Sequence, residues 1–308
     1  MKEGGNISVL LYGLEQGPDF QHLYTRLLIS CPASSSDEGG LFLLDFKHNS
    51  LKKLFTASCL GMTWVNDQLI VTTDDNQIIT MNHRFQLIST TKHPKLDFHG
   101  IAKLNDKAVL VVETEINAIG CYEVDTFMRI GEIRFNPADK DVHHINDIWL
   151  EGNILYASMF SPYDEWYLDP AKKNGGIVAI DLTDFQPNKR LDIAPANHIV
   201  VSDLHMPHTV MVHEGQLTYC DSMSFCAVVG NQTKIQVTGF TRGIAITDDT
   251  IFIGQSRMRH VLRIPQESAK RSLDSGIHVF SPESGISRFV SLPVQQIYQI
   301  LVIHHDFS

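Results

Sequence analysis

The stretch from Leu60 to Asp74 reads LGMTWVNDQLIVTTD: an apolar run, a tight polar turn at Asn66-Asp67, and a second apolar run ending on polar residues. Four more segments share this layout: His99–Glu113 (HGIAKLNDKAVLVVE), Asn146–Met159 (NDIWLEGNILYASM), His208–Ser222 (HTVMVHEGQLTYCDS) and Arg242–Ser256 (RGIAITDDTIFIGQS). Their turns use Asn, Asp and Glu-Gly pairs, residues that tolerate positive φ or bond their own backbone, as short hairpin loops require. A second β-rich pair follows each hairpin: Gln77–Met81 then Phe85–Ser89, Gly176–Asp181 then Lys189–Ile193, Ile277–Phe280 then Gly285–Val290. Four short meandering strands make the blade of a β-propeller. The units start near 60, 99, 146, 208 and 242, a spacing too uneven for a solenoid.

The two ends supply a sixth unit. Ile297–Ile303 (IYQILVI) reads as an innermost strand with nothing after it, whereas Thr25–Ser30 and Gly40–Asp45 read as outer strands with no innermost strand before them. Joining them removes the free edges that an open ring of strands would expose. The sequence therefore predicts an all-β, six-bladed β-propeller closed by pairing of N- and C-terminal strands. It forms one domain over 1–308, its sixth blade built from 297–308 and about 25–55. Ile7–Tyr12 is expected to add a strand or to join the closing blade. Trp64 and Trp149 alternate within first strands and are expected between blades.

Composition agrees with a globular chain and excludes several classes. Of 308 residues 43% are apolar and 19% charged, with mean hydropathy −0.06, enough apolar material for a large core and too little charge for disorder or a coiled coil. Net charge is −10, and no run of Lys or Arg exceeds two residues, so no nucleic-acid partner is expected. No apolar stretch reaches membrane-span length, and Met1-Lys2-Glu3-Gly4-Gly5 lacks a signal-peptide layout, so the expectation is a cytoplasmic protein without a membrane partner. The five cysteines match no zinc spacing and are expected as buried free thiols. No nucleotide-binding fingerprint occurs, so no nucleotide cofactor is expected, and Ser222 and Ser256 lack a nucleophile-elbow context.

A propeller blade starts at the central channel and works outwards. The first residue of each unit should then sit at the channel mouth: Leu60, His99, Asn146, His208, Arg242, and a residue near Ile297 or Tyr298. The second strands end on the same face with Asp74, Glu113, Met159, Asp221-Ser222 and Gln255-Ser256. The loops before the first strands add Asp97, His143-His144, Asp203, His205 and Thr241. Two long insertions, Phe160–Pro170 and Arg257–Ser275, should overhang that face. The expected catalytic set is His99, His208, Glu113 and Asp221, imidazoles and carboxylates that can move protons near neutral pH. Asn146, Arg242, Arg257, Tyr163 and Trp166 are expected to bind substrate, the arginines through paired hydrogen bonds to an anion and the aromatics through an apolar or sugar face. A divalent metal on His99, His208 and His205 is a subsidiary expectation. The competing account is structural: a polar ring at a channel mouth also binds ordered water and ties blades together. His304-His305, at the chain end, are expected on the surface.

Three segments carry a resemblance. Asp97–Ala102 (DFHGIA), Met206–Leu217 (MPHTVMVHEGQL) and Gly239–Ile246 (GFTRGIAI) resemble an uncharacterised family of bacterial conserved hypothetical proteins, a domain of unknown function with propeller-like repeats. The matching positions are His99, His208, Thr241 and Arg242; the chain departs at Gly100, where the family tends to carry Asp. The resemblance implies the fold and brings no established reaction.

These observations converge on an enzyme acting on a small polar or anionic molecule at the channel mouth. The chemistry would be His acid/base chemistry of lyase, isomerase, cyclase or hydrolase type, with metal assistance as the subsidiary possibility. The alternative is a non-catalytic propeller that serves as a ligand-binding or protein-interaction scaffold.

Overall fold

The computed structural model describes the backbone of Val9–Leu10 and residues 23–33, 38–169, 172–230, 233–258 and 271–303. His304-His305 and most of the second insertion lie outside the described residues. Six sheets, antiparallel apart from one edge strand, follow one another around a ring. Blade 1 begins with Cys59–Val65, blade 2 with Phe98–Asn105, blade 3 with Ile145–Glu151, blade 4 with Pro207–His213 and blade 5 with Phe240–Ile246. The innermost strand of blade 6 is Gln299–Ile303, which pairs with Arg26–Cys31 from the other end of the chain, Gln299 opposite Ser30 and Ile303 opposite Arg26. Val9–Leu10 adds an outermost strand to this closing blade, opposite Leu51 and Ser50.

Two outer strands differ from the sequence reading. The segment Lys189–Ile193, expected to complete blade 3, instead crosses to blade 2: Arg190–Asp192 pairs in parallel with Arg129–Arg134. Leu191 and Ile193 pack into the apolar seam between blades 2 and 3, and Arg190 lies 3.5 Å from Glu132. Charge and apolar contact thus both favour the neighbour's edge, and Ile199–Leu204 completes blade 3. In blade 1 the outer strand is Leu87–Lys92 rather than Phe85–Ser89, because Phe85, with φ +60°, is in the preceding turn.

The core is a set of seams between blades. Each pair of neighbouring sheets shares one cluster of buried apolar side chains, including Leu110 and Leu155 between blades 2 and 3 and Leu27 and Phe252 between blades 5 and 6. Trp64 and Trp149 pack in two of these seams. A seventh cluster, Met206, Met223, Phe225 and Met258, lies against Phe160, Trp166 and Phe240 from the loops at one end of the channel. All five cysteines are free and buried.

A second regularity is a break in register near the start of the innermost strands. Leu60-Gly61 bulges between the pairs Cys59–Thr73 and Met62–Val71, and His99-Gly100 between Phe98–Glu113 and Ile101–Val111. Corresponding irregularities fall at Asn146, Thr209 and Arg242-Gly243. A bulge inserts an unpaired residue and re-aims the side chains around it.

The closing strand carries ring integrity. Ile300 is 2% exposed in the seam with blade 5. Ile300→Ala should cost about 2–5 kcal/mol in urea unfolding, with increased proteolysis of the N-terminal strands. A cost below about 1 kcal/mol would mean the closing strand contributes little to the ring.

Candidate functional site

The bulges and the loops before them open on a cavity of about 330 Å³ at one end of the channel. Blades 1 and 2 contribute Ser58, Leu60, Asp74, Asp97 and His99 to its wall. Blades 3 and 4 contribute His144, Phe160, Trp166, Met206 and His208, and blade 5 contributes Phe240, Arg242, Ser256, Arg257 and Met258. Gln296, Pro32 and Ala33 come from the closing segments.

His99 and His208 are held in the same way. Asp97 and Met206, each two residues ahead of a histidine, adopt left-handed conformations (φ +54° and +52°), so their carbonyls turn back towards the ring. His99 Nδ1 lies 3.2 Å from the Asp97 carbonyl and 3.1 Å from Thr114 Oγ1. His208 Nδ1 lies 3.0 Å from the Met206 carbonyl and 2.9 Å from Ser222 Oγ. A carbonyl only accepts, so Nδ1 carries the proton in both rings. Both hydroxyls accept at this point too, because Thr114 donates to the Ile145 carbonyl and Ser222 to the Thr241 carbonyl, each at 2.7 Å. Nε2 is thereby left with its lone pair on the opposite edge of each ring. Burial pushes the pKa of His99 down to about 4, with the Asp97 carboxylate opposing and His144 and Arg242 adding to the fall. Burial, followed by Arg242 and His144, holds His208 well below the usual histidine range. Both imidazoles are neutral at pH 7.

Arg242 is 4% exposed. Its guanidinium lies 4.8 Å above the Tyr298 ring, and Nη1 donates to Gln296 Oε1 at 3.2 Å, which fixes its plane. Tyr298 fills the channel position of the closing blade and donates its hydroxyl to the Asn146 carbonyl at 2.5 Å.

The other expected site residues divide. Arg257 and Trp166 line the cavity. Trp166 donates Nε1 to Asp141 Oδ2 at 2.8 Å, the same oxygen that lies 2.5 Å from His144 Nδ1. Asn146 is fully buried at the channel and is not part of the cavity wall; its Nδ2 donates to the His144 carbonyl at 3.3 Å. Glu113 is turned away: Arg129 grips both carboxylate oxygens (2.8 and 2.6 Å), and Tyr122 donates to one of them at 2.5 Å. Asp221 is likewise outside the cavity, accepting the His205 backbone N–H at 2.7 Å. Tyr163 is exposed and also outside the wall. The expected metal set is not assembled, since His205 is buried away from the cavity that His99 and His208 line. Among the described residues no three His, Cys, Asp or Glu side chains are grouped to hold a metal ion.

Two residues outside the expected set matter here. His144 reaches the cavity from the loop before blade 3, stacked 4.3 Å from Phe160 and 4.6 Å from Trp166, with its ring 5.6 Å from His99. Its φ of +46° repeats the left-handed turn of Asp97 and Met206, a pattern the sequence does not announce. Asp147 lies deeper. It is 6% exposed, and its Oδ1 would sit 2.5 Å from a Cβ at Gly100. The space beside Gly100 is thus filled by an acid reaching it from blade 3. Burial pushes the Asp147 carboxyl up to about 7, with backbone N–H groups of Ile148 and Val210 and the Arg242 charge opposing.

No curated protein sequence matches this chain. Residues 18–306 match the family described as a domain of unknown function, DUF4915. Among solved structures, the chain is similar to a protein of unknown function from Bacteroides caccae (TM-score 0.61, 10% identity, covering 91% of this chain and 99% of that one). It is similar to a chain of a nidogen/laminin complex (TM-score 0.63, 12% identity, 90% and 98% covered). It is also similar to regucalcin from Agrobacterium tumefaciens, described as a calcium-binding protein (TM-score 0.54, 10% identity, 79% and 77% covered). At such identities the likeness is one of fold.

The buried groups set the pH dependence of stability. A histidine with a lowered pKa binds its proton more weakly when folded, so its contribution is lost as pH falls from 6.5 towards 4; His99, His208 and His278 all act in this direction. A carboxyl with a raised pKa acts oppositely, its contribution falling as pH rises from about 4 through 7. His93 and His143, whose pKa values burial also lowers, add to the same side, so thermal stability should rise from pH 4 to about 6.5 against the opposing fall from Asp147. Asp147→Asn removes the opposing contribution and should enlarge the gain in melting temperature between pH 4 and 7. An equal gain in the variant and the wild type would refute the assignment to Asp147.

Proposed function

Because this chain belongs to the DUF4915 family, a domain of unknown function, its activity has to be read from the cavity, and we propose that it is an enzyme acting on a small anionic molecule by imidazole acid/base chemistry. The arrangement of His99 and His208 supports this reading: a largely buried and a buried ring with the same tautomer, each leaving Nε2 unprotonated, in a cavity wall that also holds the fixed guanidinium of Arg242. A polar ring serving only to tie blades together gains nothing from neutral, desolvated bases next to a buried cation.

Arg242 binds the anionic group of the substrate and stabilises negative charge that builds on it during reaction. One imidazole removes a proton from the substrate at Nε2 and, as imidazolium, returns it to a neighbouring carbon or to the leaving group. The cycle balances without an external oxidant or reductant, which fits isomerase or lyase chemistry. Trp166 and Phe160 exclude water from one side, as charge stabilisation in a closed site requires. Glu113, Asp221 and Tyr163 have no part in this scheme.

Asparagine is the informative replacement, because its amide N–H can take the place of Nδ1–H on the backbone carbonyl while nothing replaces Nε2. Incubation with a panel of small 2-hydroxy, 2-amino and unsaturated carboxylates in D₂O, followed by proton NMR, should reveal C–H exchange or conversion. His99→Asn and His208→Asn should retain the wild-type melting temperature, and at least one should lower the rate about 10²–10⁴-fold. If both variants keep the rate, or lower only the melting temperature, the channel ring is structural and the propeller is a binding scaffold.

A further inference from the structure

The cavity wall is divided into three sectors by the order of the blades. Asp74 and Asp97 stand on blades 1 and 2, Phe160 and Trp166 on blade 3, and Arg242 and Arg257 on blade 5. Asp74, Asp97, Arg242 and Arg257 are the acidic and basic side chains of the wall other than its histidines among the described residues, two of each sign, and the imidazoles of His99 and His208 add no charge at neutral pH. The aromatic sector is continuous: Phe160 lies 5.3 Å from Trp166 and 5.3 Å from His208, which lies 5.2 Å from Phe240. Methionines 206 and 258 back it, and thioethers adapt to a range of apolar shapes.

Arg242 is buried and Asp97 half-buried, whereas Asp74 and Arg257 stand exposed at the rim. A ligand bearing only an anion would approach Arg242 while bringing its charge into the same cavity as the Asp97 carboxylate. A dianion such as a phosphate ester would do so at greater cost. A ligand bearing only a cation meets the converse penalty. Like charges brought together away from water repel strongly, and opposite charges there are worth more than at a surface. One small molecule that meets all three sectors carries a carboxylate, an ammonium group and a flat apolar side.

We infer that the cavity binds a zwitterionic aminocarboxylate with an aromatic or large apolar side chain, its carboxylate towards blade 5, its ammonium group towards blades 1 and 2, and its side chain against Phe160 and Trp166. This deepens the proposed function and rests on the cavity being a small-molecule site. Three chemically distinct contacts on three blades also fix the hand of the ligand, since the mirror image meets only two of them. About 330 Å³ is near the lower end of ligand pockets, as suits a molecule of this size.

Calorimetric titration with L-phenylalanine, D-phenylalanine, 3-phenylpropionate and phenethylamine tests this directly. One enantiomer of phenylalanine should bind about tenfold or more tightly than the other and than either single-charge analogue, the scale of one charge-assisted hydrogen bond. Asp97→Asn keeps a residue that tolerates the left-handed backbone found there. It should remove most of that advantage over 3-phenylpropionate, weakening the preferred phenylalanine enantiomer and, with one repelling carboxylate gone, tightening 3-phenylpropionate. Equal or tighter binding of 3-phenylpropionate by the wild type would overturn the zwitterion and leave an anion site standing. Binding of none of the four would also overturn it, and the asparagine variants in D₂O would then judge the catalytic reading separately.

Discussion

The bulge near the start of the innermost strands is the constraint on which the site depends. In an unbroken ladder, residues facing each other across two strands point to the same side of the sheet, and the inner strand would turn its alternate side chains into the blade seams. The bulges at Leu60-Gly61, His99-Gly100 and Arg242-Gly243 break that alternation at the channel. They cost ladder hydrogen bonds, and the structure replaces these locally: Thr72 Oγ1 accepts the Gly61 N–H at 2.9 Å, Ser158 Oγ the Asp147 N–H at 3.2 Å, and Thr209 Oγ1 the Gly243 N–H at 2.8 Å. Hydroxyl residues at these places are backbone partners displaced onto side chains. Gly243, with φ +78°, sits where a side chain would be strained.

The same economy orients the imidazoles. Thr114 and Ser222 stitch one blade to the next through a carbonyl, and in doing so each presents its oxygen to an imidazole. Once Nδ1–H is satisfied by a carbonyl and a hydroxyl, each ring can be buried without leaving a donor unpaired, and burial keeps it neutral. Basicity lost in this way is offset by permanence: the lone pair at Nε2 is present over the whole physiological pH range. A structural stitch and the orientation of an imidazole are therefore two uses of one hydroxyl.

Much of this was legible in the residues themselves. Five hairpin repeats announced the blades because each needs the same apolar-turn-apolar pattern, and the unpaired strands at the two ends announced closure. The channel positions followed from the first residue of each repeat, which is how His99, His208 and Arg242 come into view. Glu113 and Asp221 were harder, since orientation at the end of the second strand depends on register: Glu113 pairs with the fully buried Phe98 and Asp221 with Pro207, ahead of the bulge, so both turn away from the cavity. The residues just after them, Thr114 and Ser222, do the facing. Strand Arg190–Asp192 went to the wrong blade because edge pairing is decided by charges and seams supplied by a neighbour, which no local pattern records. His144 was expected on this face from the loop it occupies, but its stacking on Phe160 and Trp166 depends on how the insertion after blade 3's second strand folds back, which no local pattern records.

Fold and site are nearly separable in this architecture. Stability resides in apolar seams between neighbouring sheets, none of whose members lines the cavity. The cavity draws residues from every blade, mostly at a bulge, at the loop before it or at the end of the second strand. Changing one of these alters one sector of the wall and leaves each seam intact. That explains how likeness to propellers of differing description can persist at 10–12% identity, and why it carries no chemistry with it. The order in which acids, aromatics and arginines follow one another around the ring is set by which blade carries which residue, so the closing strand, which completes the ring, also fixes the spacing of the sectors across the cavity.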